Sequence, residues 1–221
     1  MDLGSSVNRA TAAPDLKASC AIPPLSESCS LSDNCEMRLH CGCCVLRPWA
    51  AGDEPSLVRH ANNYKIWRNL RDGFPHPYTL ADAKQWISFA QQQSPQTLFA
   101  VEVGGEAVGS VGLFPKSDIE RLSAEIGYWL GEAIWGKGIA TAAVRTLSTY
   151  GFKGLGLTRI FAVPLDSNKA SIRVLEKAGY VREGILRRSA IKEGIVLDQV
   201  LYAITDMDLL PSVSEKNTRD D

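Results

Sequence analysis

The stretch from Ala124 to Phe152 constrains the fold more than any other part of the chain. Ala124 to Leu130 alternates in the manner of a strand, and Gly138 to Phe152 places Ala140, Val144 and Leu147 on one face of a helix. Between them runs Trp135-Gly136-Lys137-Gly138-Ile139-Ala140. A strand that turns through glycines into a helix aims successive backbone N–H groups, and the positive end of the helix dipole, at one point. Glycine suits that turn because a Cβ keeps an anion from reaching the amides, and because the left-handed backbone angles of such a nest cost glycine least. The segment therefore predicts a mixed α/β chain with an anion site, best suited to phosphate, at the strand-to-helix junction.

The surrounding sequence supplies more elements of both kinds. Leu80 to Gln92 follows Thr79 as N-cap with Asp82 three residues on, and repeats Ala83, Trp86, Ile87 and Ala90 at helical spacing. Thr97 to Val103 and Glu106 to Phe114 read as strands joined at Gly104-Gly105, a pair suited to a two-residue hairpin turn. Arg159 to Val163 is a further strand, and Asn168 caps a helix that runs to Ala178 and stops at Gly179. Final strands are predicted near Gly184 to Arg188 and Val196 to Leu209.

Composition narrows what such a chain does. Lys and Arg number 24 against 25 Asp and Glu, with no basic cluster, which argues against a nucleic-acid partner. No uncharged apolar stretch approaches the roughly 20 residues of a membrane-spanning helix, so a soluble protein with no membrane partner is expected. Residues 1–34 are rich in Ser, Ala and Pro and read as a disordered extension, with a transit peptide as the rival reading; residues 211–221 read as a polar tail. All six cysteines lie between Cys20 and Cys44, so they form no framework for the whole chain, and a reducing, cytoplasmic compartment is expected. His40-Cys41-Gly42-Cys43-Cys44 lacks a second ligand pair at zinc-site spacing, and the alternation of Cys41, Cys43, Val45 and Arg47 fits a first strand instead. No metal is expected.

Gly131-x4-Gly136-Lys137-Gly138 matches a nucleotide-binding P-loop up to its final position. There the Ser or Thr that supplies a magnesium-binding hydroxyl is replaced by Gly138, which has no side chain.

Four segments taken together carry a resemblance. They are Val45-Leu46-Arg47-Pro48-Trp49, Ala124-Glu125-Ile126-Gly127-Tyr128-Trp129-Leu130, the glycine loop, and Asn168-Lys169-Ala170-Ser171 leading to Glu176-Lys177-Ala178-Gly179-Tyr180. In order and distance they resemble the GCN5-related N-acetyltransferases, in the branch of the ribosomal-protein N-terminal acetyltransferases of the RimJ/RimL type. The resemblance covers about residues 37–209 and implies an acetyltransferase domain over 36–210. The implied fold is a mixed, mostly antiparallel sheet of six to seven strands flanked by about four helices, with its fourth and fifth strands splayed.

The resemblance also implies roles. Acetyl-CoA is the co-substrate, with the pantetheine arm on backbone groups of Leu130 and beside Asn168. Its pyrophosphate lies on the amides of Gly136, Lys137, Gly138, Ile139, Ala140 and Thr141. Trp135 stands where relatives carry Gln or Arg, and is expected to pack beneath the loop. Glu125 is the candidate base for the acceptor ammonium, against the alternative of a salt-bridged strand glutamate. Strict alternation sets it on the face opposite Leu130, so a β-bulge is expected to re-aim it. Ser171 is the candidate partner of the leaving thiolate, against the alternative of a helix-start serine. Leu175 and Ala190 stand where relatives carry an acid and a base, which keeps open a CoA-binding sensor module as the alternative function. Asp72 and Tyr78, in the Pro-stiffened segment Asn69 to Tyr78, are candidates for contacting the amine acceptor, a peptide N-terminus or a small amine. A monomer or homodimer is expected.

Because residues 1–34 lack the large apolar side chains needed to dock, deleting them should leave turnover unchanged and the melting temperature within about 2 °C, as read by calorimetry. A larger fall would show that the Cys-containing extension is part of the folded unit.

Overall fold

The computed structural model describes residues 37–209. The extension over 1–34 and the tail over 211–221 lie outside them.

The period-two pattern of the strands is satisfied by one eight-stranded sheet with a core on each face. In sequence the strands are β1 (Leu39–His40), β2 (Val45–Arg47), β3 (Leu98–Val103), β4 (Glu106–Pro115), β5 (Ser123–Leu130), β6 (Arg159–Ala162), β7 (Val181–Lys192) and β8 (Ile195–Thr205). Their order is β1-β2-β3-β4-β5-β6-β8-β7. Every neighbouring pair is antiparallel except β5 and β6, which run parallel. On β3, Phe99 and Val101 enter one core while Leu98 and Ala100 enter the other. Helices α1 (Glu54–Ala61) and α3 (Leu80–Gln91) cover the second core, joined by the short α2 (Tyr64–Trp67). Helices α4 (Ile139–Leu155) and α5 (Lys169–Ala178) cover the first.

Local signals in the sequence account for these ends. Thr79 and Asp82 form a reciprocal capping box at the start of α3, satisfying two amides that the helix leaves unpaired. Gly104 and Gly105 take φ of 61° and 84°, the left-handed pair a two-residue hairpin needs. Gly156 and Gly179 end α4 and α5 in left-handed conformations.

Four expectations need correction. The sheet has eight strands rather than six to seven, and five α-helices accompany it rather than about four. The additional strand β1 arises because Cys41 to Cys44 make a tight turn, Cys41 N–H donating to the Cys44 carbonyl at 2.9 Å, and are not themselves a strand. In the closing hairpin, which turns at Glu193-Gly194, β7 is longer than the expected Gly184 to Arg188, whereas β8 ends at Thr205 and Asp206–Leu209 form a 3-10 turn.

The feature that makes the site is where β5 and β6 stop pairing; the parting expected between the fourth and fifth strands falls between the fifth and sixth, because β1 adds a strand ahead of them. Only Ser123, Ala124 and Glu125 pair with Arg159, Ile160 and Phe161, whereas β5 continues to Leu130. On its other side β5 stays in unbroken register with β4 from Pro115↔Ala124 to Gly109↔Leu130. The expected bulge at Glu125 is therefore absent from that pairing.

Gly109 shows how closely β4 and β5 are held at the open end: a Cβ there stands 2.3 Å from the Trp129 carbonyl and 2.9 Å from the Leu130 Cα. Because both are backbone atoms, Gly109→Ala should cost roughly 1–3 kcal/mol in denaturant unfolding. A loss under about 0.5 kcal/mol would show that β5 yields freely there.

Candidate active site

Beyond Glu125 the two strands part, and a cavity of about 1150 Å³ opens through the sheet. Backbone geometry prepares its wall first. Gly131 N–H donates to the Val108 carbonyl at 2.8 Å, so in the alternating antiparallel ladder the polar groups of Leu130 point away from β4 and into the gap. Trp135 then takes one of them, its indole N–H donating to the Leu130 carbonyl at 2.7 Å. The ring is 45% exposed and lines the cavity, so it does not pack beneath the loop as expected. The Leu130 N–H remains directed at the gap.

The glycine loop closes one end. Gly136 and Gly138 have φ of 77° and 79°, and a Cβ built on either meets no atom within 4 Å. Each would project into open space rather than into protein. The first helical bond of α4 runs from Ala142 N–H to the Gly138 carbonyl at 3.1 Å, so the amides of Gly138, Ile139, Ala140 and Thr141 precede the helical ladder. These residues, with Gly136 and Lys137, all line the cavity. The arrangement fits a pyrophosphate held by backbone donors.

Helix α5 starts at the same cavity. The Asn168 side-chain oxygen accepts from Ser171 N–H at 3.1 Å and caps the helix, and both residues line the opening. The Ser171 hydroxyl lies 2.8 Å from the Tyr128 hydroxyl, which also approaches the Ser171 carbonyl at 3.1 Å. Burial pushes the Tyr128 phenol well above the usual tyrosine range, with the Ser171 hydroxyl partly offsetting it, so the phenol stays neutral and able to donate at physiological pH. The sequence named Tyr128 only as part of a strand; alternation with Ile126 and Leu130 sets it on the α5 side.

Glu125, Gly127 and Trp129 occupy the opposite face of β5. Trp129 packs edge-on against Phe74, with centroids 5.7 Å apart, in the core under α1 and α3. Glu125 faces the cavity and forms an ion pair with Arg71, whose side chain is largely exposed. Glu125 and Ser171 thus reach one opening from two sides of the sheet, and no bulge is needed.

Of the two acceptor candidates, Asp72 lines the cavity and binds Lys192 at 2.8 Å, whose ammonium also lies 3.8 Å from the Trp67 ring centroid. Tyr78 does not line it. Its ring is buried in the core, 4.9 Å from that of Phe74, because the chain leaving the Pro75 and Pro77 segment must cover the apolar face of α3. Leu175 is wholly buried in the other core, and Ala190 lines the cavity with a methyl group. Among the described residues no group of three His, Cys, Asp or Glu is gathered in a way that holds a metal ion, and no helix is long and apolar enough to cross a membrane.

Comparison with known proteins agrees with this geometry. The acetyltransferase (GNAT) domain matches residues 44–181. The chain belongs to the GNAT acetyltransferase family. It is 35% identical over 164 residues to the uncharacterized N-acetyltransferase YnaD of Bacillus subtilis, covering 73% of this chain and 93% of that one. It is 37% identical over 100 residues to the putative ribosomal N-acetyltransferase YdaF of the same organism, covering 45% of this chain and 54% of YdaF. In that last match, as in others of about 100 residues, the chain spans about half the length of the curated relative. Among solved structures, Mycobacterium smegmatis RimJ in complex with CoA-disulfide superposes with a TM-score of 0.68 at 27% identity, covering 80% of this chain and 89% of that one. The open, mostly antiparallel sheet is that of the GNAT fold.

A side chain at Gly138 must take φ of 79° and stand where an anion meets the amides. Gly138→Val should therefore weaken CoA binding at least tenfold by calorimetry while the circular dichroism spectrum is kept. Unchanged affinity would remove the loop from the site.

Proposed function

We propose that the chain is an acetyl-CoA-dependent N-acetyltransferase that acts on a protein N-terminal α-amine, or a small-molecule amine, by direct attack in a ternary complex. The observation that carries this reading is the opening through the sheet, with an amide cradle and the Tyr128–Ser171 pair on one side and Glu125 with Arg71 on the other.

Bound acetyl-CoA supplies the reactive thioester. The chain's own groups do the rest. The amides of Gly136 to Thr141 hold the pyrophosphate, and the Leu130 N–H orients the pantetheine arm. Ser171, with its hydroxyl fixed by Tyr128, presents an O–H toward the position of the leaving sulfur. On the acceptor side, Glu125 receives a proton from the incoming ammonium, directly or through water, once the ammonium competes with the exposed Arg71 for the carboxylate. Of the three acids lining the opening, Glu125 is paired with Arg71 and Asp72 with Lys192, while Glu193 accepts from the Tyr64 hydroxyl at 2.8 Å.

A second reading, a CoA-binding sensor without turnover, is favoured by Leu175 being sealed in the core and Ala190 offering no polar group. Steady-state thiol release with peptide N-termini, spermidine and aminoglycosides separates the two, and sustained release with a peptide is the outcome expected.

Glu125→Gln should lower kcat by about 10² to 10⁴ at pH 6.5 with little change in CoA affinity. An α-ammonium has a pKa near 8, so the free amine becomes abundant as pH rises and the deficit should shrink by pH 9. Ser171→Ala and Tyr128→Phe should each cost roughly tenfold at every pH, and the double variant little more than Ser171→Ala, since Tyr128 acts through Ser171. A Glu125→Gln enzyme with normal rates from pH 6 to 10 would leave that carboxylate as the ion-pair partner of Arg71 alone.

A further inference from the structure

Three of the six cysteines, Cys41, Cys43 and Cys44, stand at the turn between β1 and β2, and none of the three lines the cavity. Acetyl transfer gives them no task. The register that pairs Leu39 with Leu46 and His40 with Val45 continues to Cys41 and Cys44, the Cys41 N–H donating to the Cys44 carbonyl at 2.9 Å across Gly42 and Cys43. Gly42 takes φ of 78°, which lets the chain reverse within those two residues. Directly opposed residues joined by such bonds have Cα atoms about 5.5 Å apart, with both side chains on one side of the ladder. A disulfide needs a Cα separation of roughly 4.4–6.8 Å, so Cys41 and Cys44 meet its requirement. Cys43 and Cys44 do not, since neighbouring Cα atoms across a trans peptide are about 3.8 Å apart.

The two opposed side chains enter the core beneath α4, Cys41 7% and Cys44 6% exposed, while Gly42 is exposed and Cys43 half-buried. There they hydrogen-bond to one another. Donation from the Cys44 thiol holds Cys41 below the usual thiol range; burial opposes this, and Thr146 of α4 and a backbone group of Leu46 add to it. The same bond, with burial, pushes the Cys44 thiol well above that range. One sulfur is readied as a thiolate and the other keeps its proton.

We infer that Cys41 and Cys44 form a reversible redox site, oxidised to a disulfide across the β1–β2 turn by a small hydroperoxide, with Cys41 as the attacking sulfur and Cys44 as the resolving one. Hydrogen peroxide, little larger than water, suits a pair covered to this degree. The Cys41 thiolate attacks one peroxide oxygen; an S–O bond forms, the O–O bond breaks, and the departing oxygen takes a proton and leaves as water. The Cys44 sulfur then attacks the sulfenic sulfur, the S–O bond breaks, and hydroxide leaves with the Cys44 proton as a second water. The two thiols lose two electrons and the peroxide gains them. Capture by Cys44 stops Cys41 short of the irreversible sulfinic acid, and an external dithiol restores both thiols by exchange.

The test uses the full chain, reduced, exposed to hydrogen peroxide, alkylated and digested, with the peptide that holds the turn read by fragmentation in a mass spectrometer. The wild-type peptide should have lost two hydrogens and carry a single alkyl group, on Cys43, and dithiothreitol before alkylation should return all three groups. Cys41→Ser should abolish that disulfide. Cys43→Ser/Cys44→Ser should halt at the Cys41 sulfenic acid, trapped by dimedone. The wild-type peptide alone decides the pairing, so a variant that fails to fold leaves the test intact. Three alkyl groups on the peroxide-treated wild-type peptide would overturn the site. So would a loss of two hydrogens that persists in Cys41→Ser, or bridges from the turn to Cys20, Cys29 or Cys35 in place of the Cys41–Cys44 bond.

Discussion

The site depends on the end of pairing between β5 and β6. Two parallel strands that shared hydrogen bonds over their full length would close the sheet and leave no route between its faces. Here the ladder stops at Glu125↔Phe161, and the five remaining residues of β5 are held from one side only, by β4. Their polar groups on the free side are backbone donors and acceptors that a buried gap cannot leave unmatched. Trp135 satisfies the Leu130 carbonyl, and an extended amide-bearing ligand arm is well suited to the remainder. The gap therefore offers backbone donors and acceptors to a polar ligand and is lined from both faces of the sheet.

That opening changes how the strand's alternation is read. Alternation sets Glu125 and Tyr128 on opposite faces of β5, which in a closed sheet separates them by a layer of backbone. In the open sheet each face has its own task. The α4–α5 side carries the amides, Asn168 and Ser171, and the α1–α3 side carries Glu125, Arg71 and Asp72. Glu125 reaches the cavity without a bulge because the strand is open on that side.

Much of this was legible because it rests on short-range rules. Thr79 with Asp82, Asn168 at the head of α5, the Gly104-Gly105 turn and the glycine loop each act within a few residues, and each appears where its local chemistry predicts. What was hidden depends on residues distant in sequence. Arg71 meets Glu125 across 54 positions, and Lys192 meets Asp72 across 120, with no local pattern announcing either. Tyr78 reads as a loop aromatic until α3 is seen to need a cover, and Trp135 reads as packing until the Leu130 carbonyl is seen to need a donor. The full length of β7 escaped because most of it is exposed, which removes the apolar alternation by which strands are recognised.

The central claim is that donor and acceptor occupy the opening together, one from each face of the sheet, and that the acetyl group passes between them without resting on the protein. Initial velocities measured with a peptide acceptor, over a matrix of acetyl-CoA and peptide concentrations, test it directly. Direct transfer in a ternary complex predicts double-reciprocal lines that intersect. Parallel lines, the pattern of an acyl-enzyme formed before the acceptor binds, would contradict it.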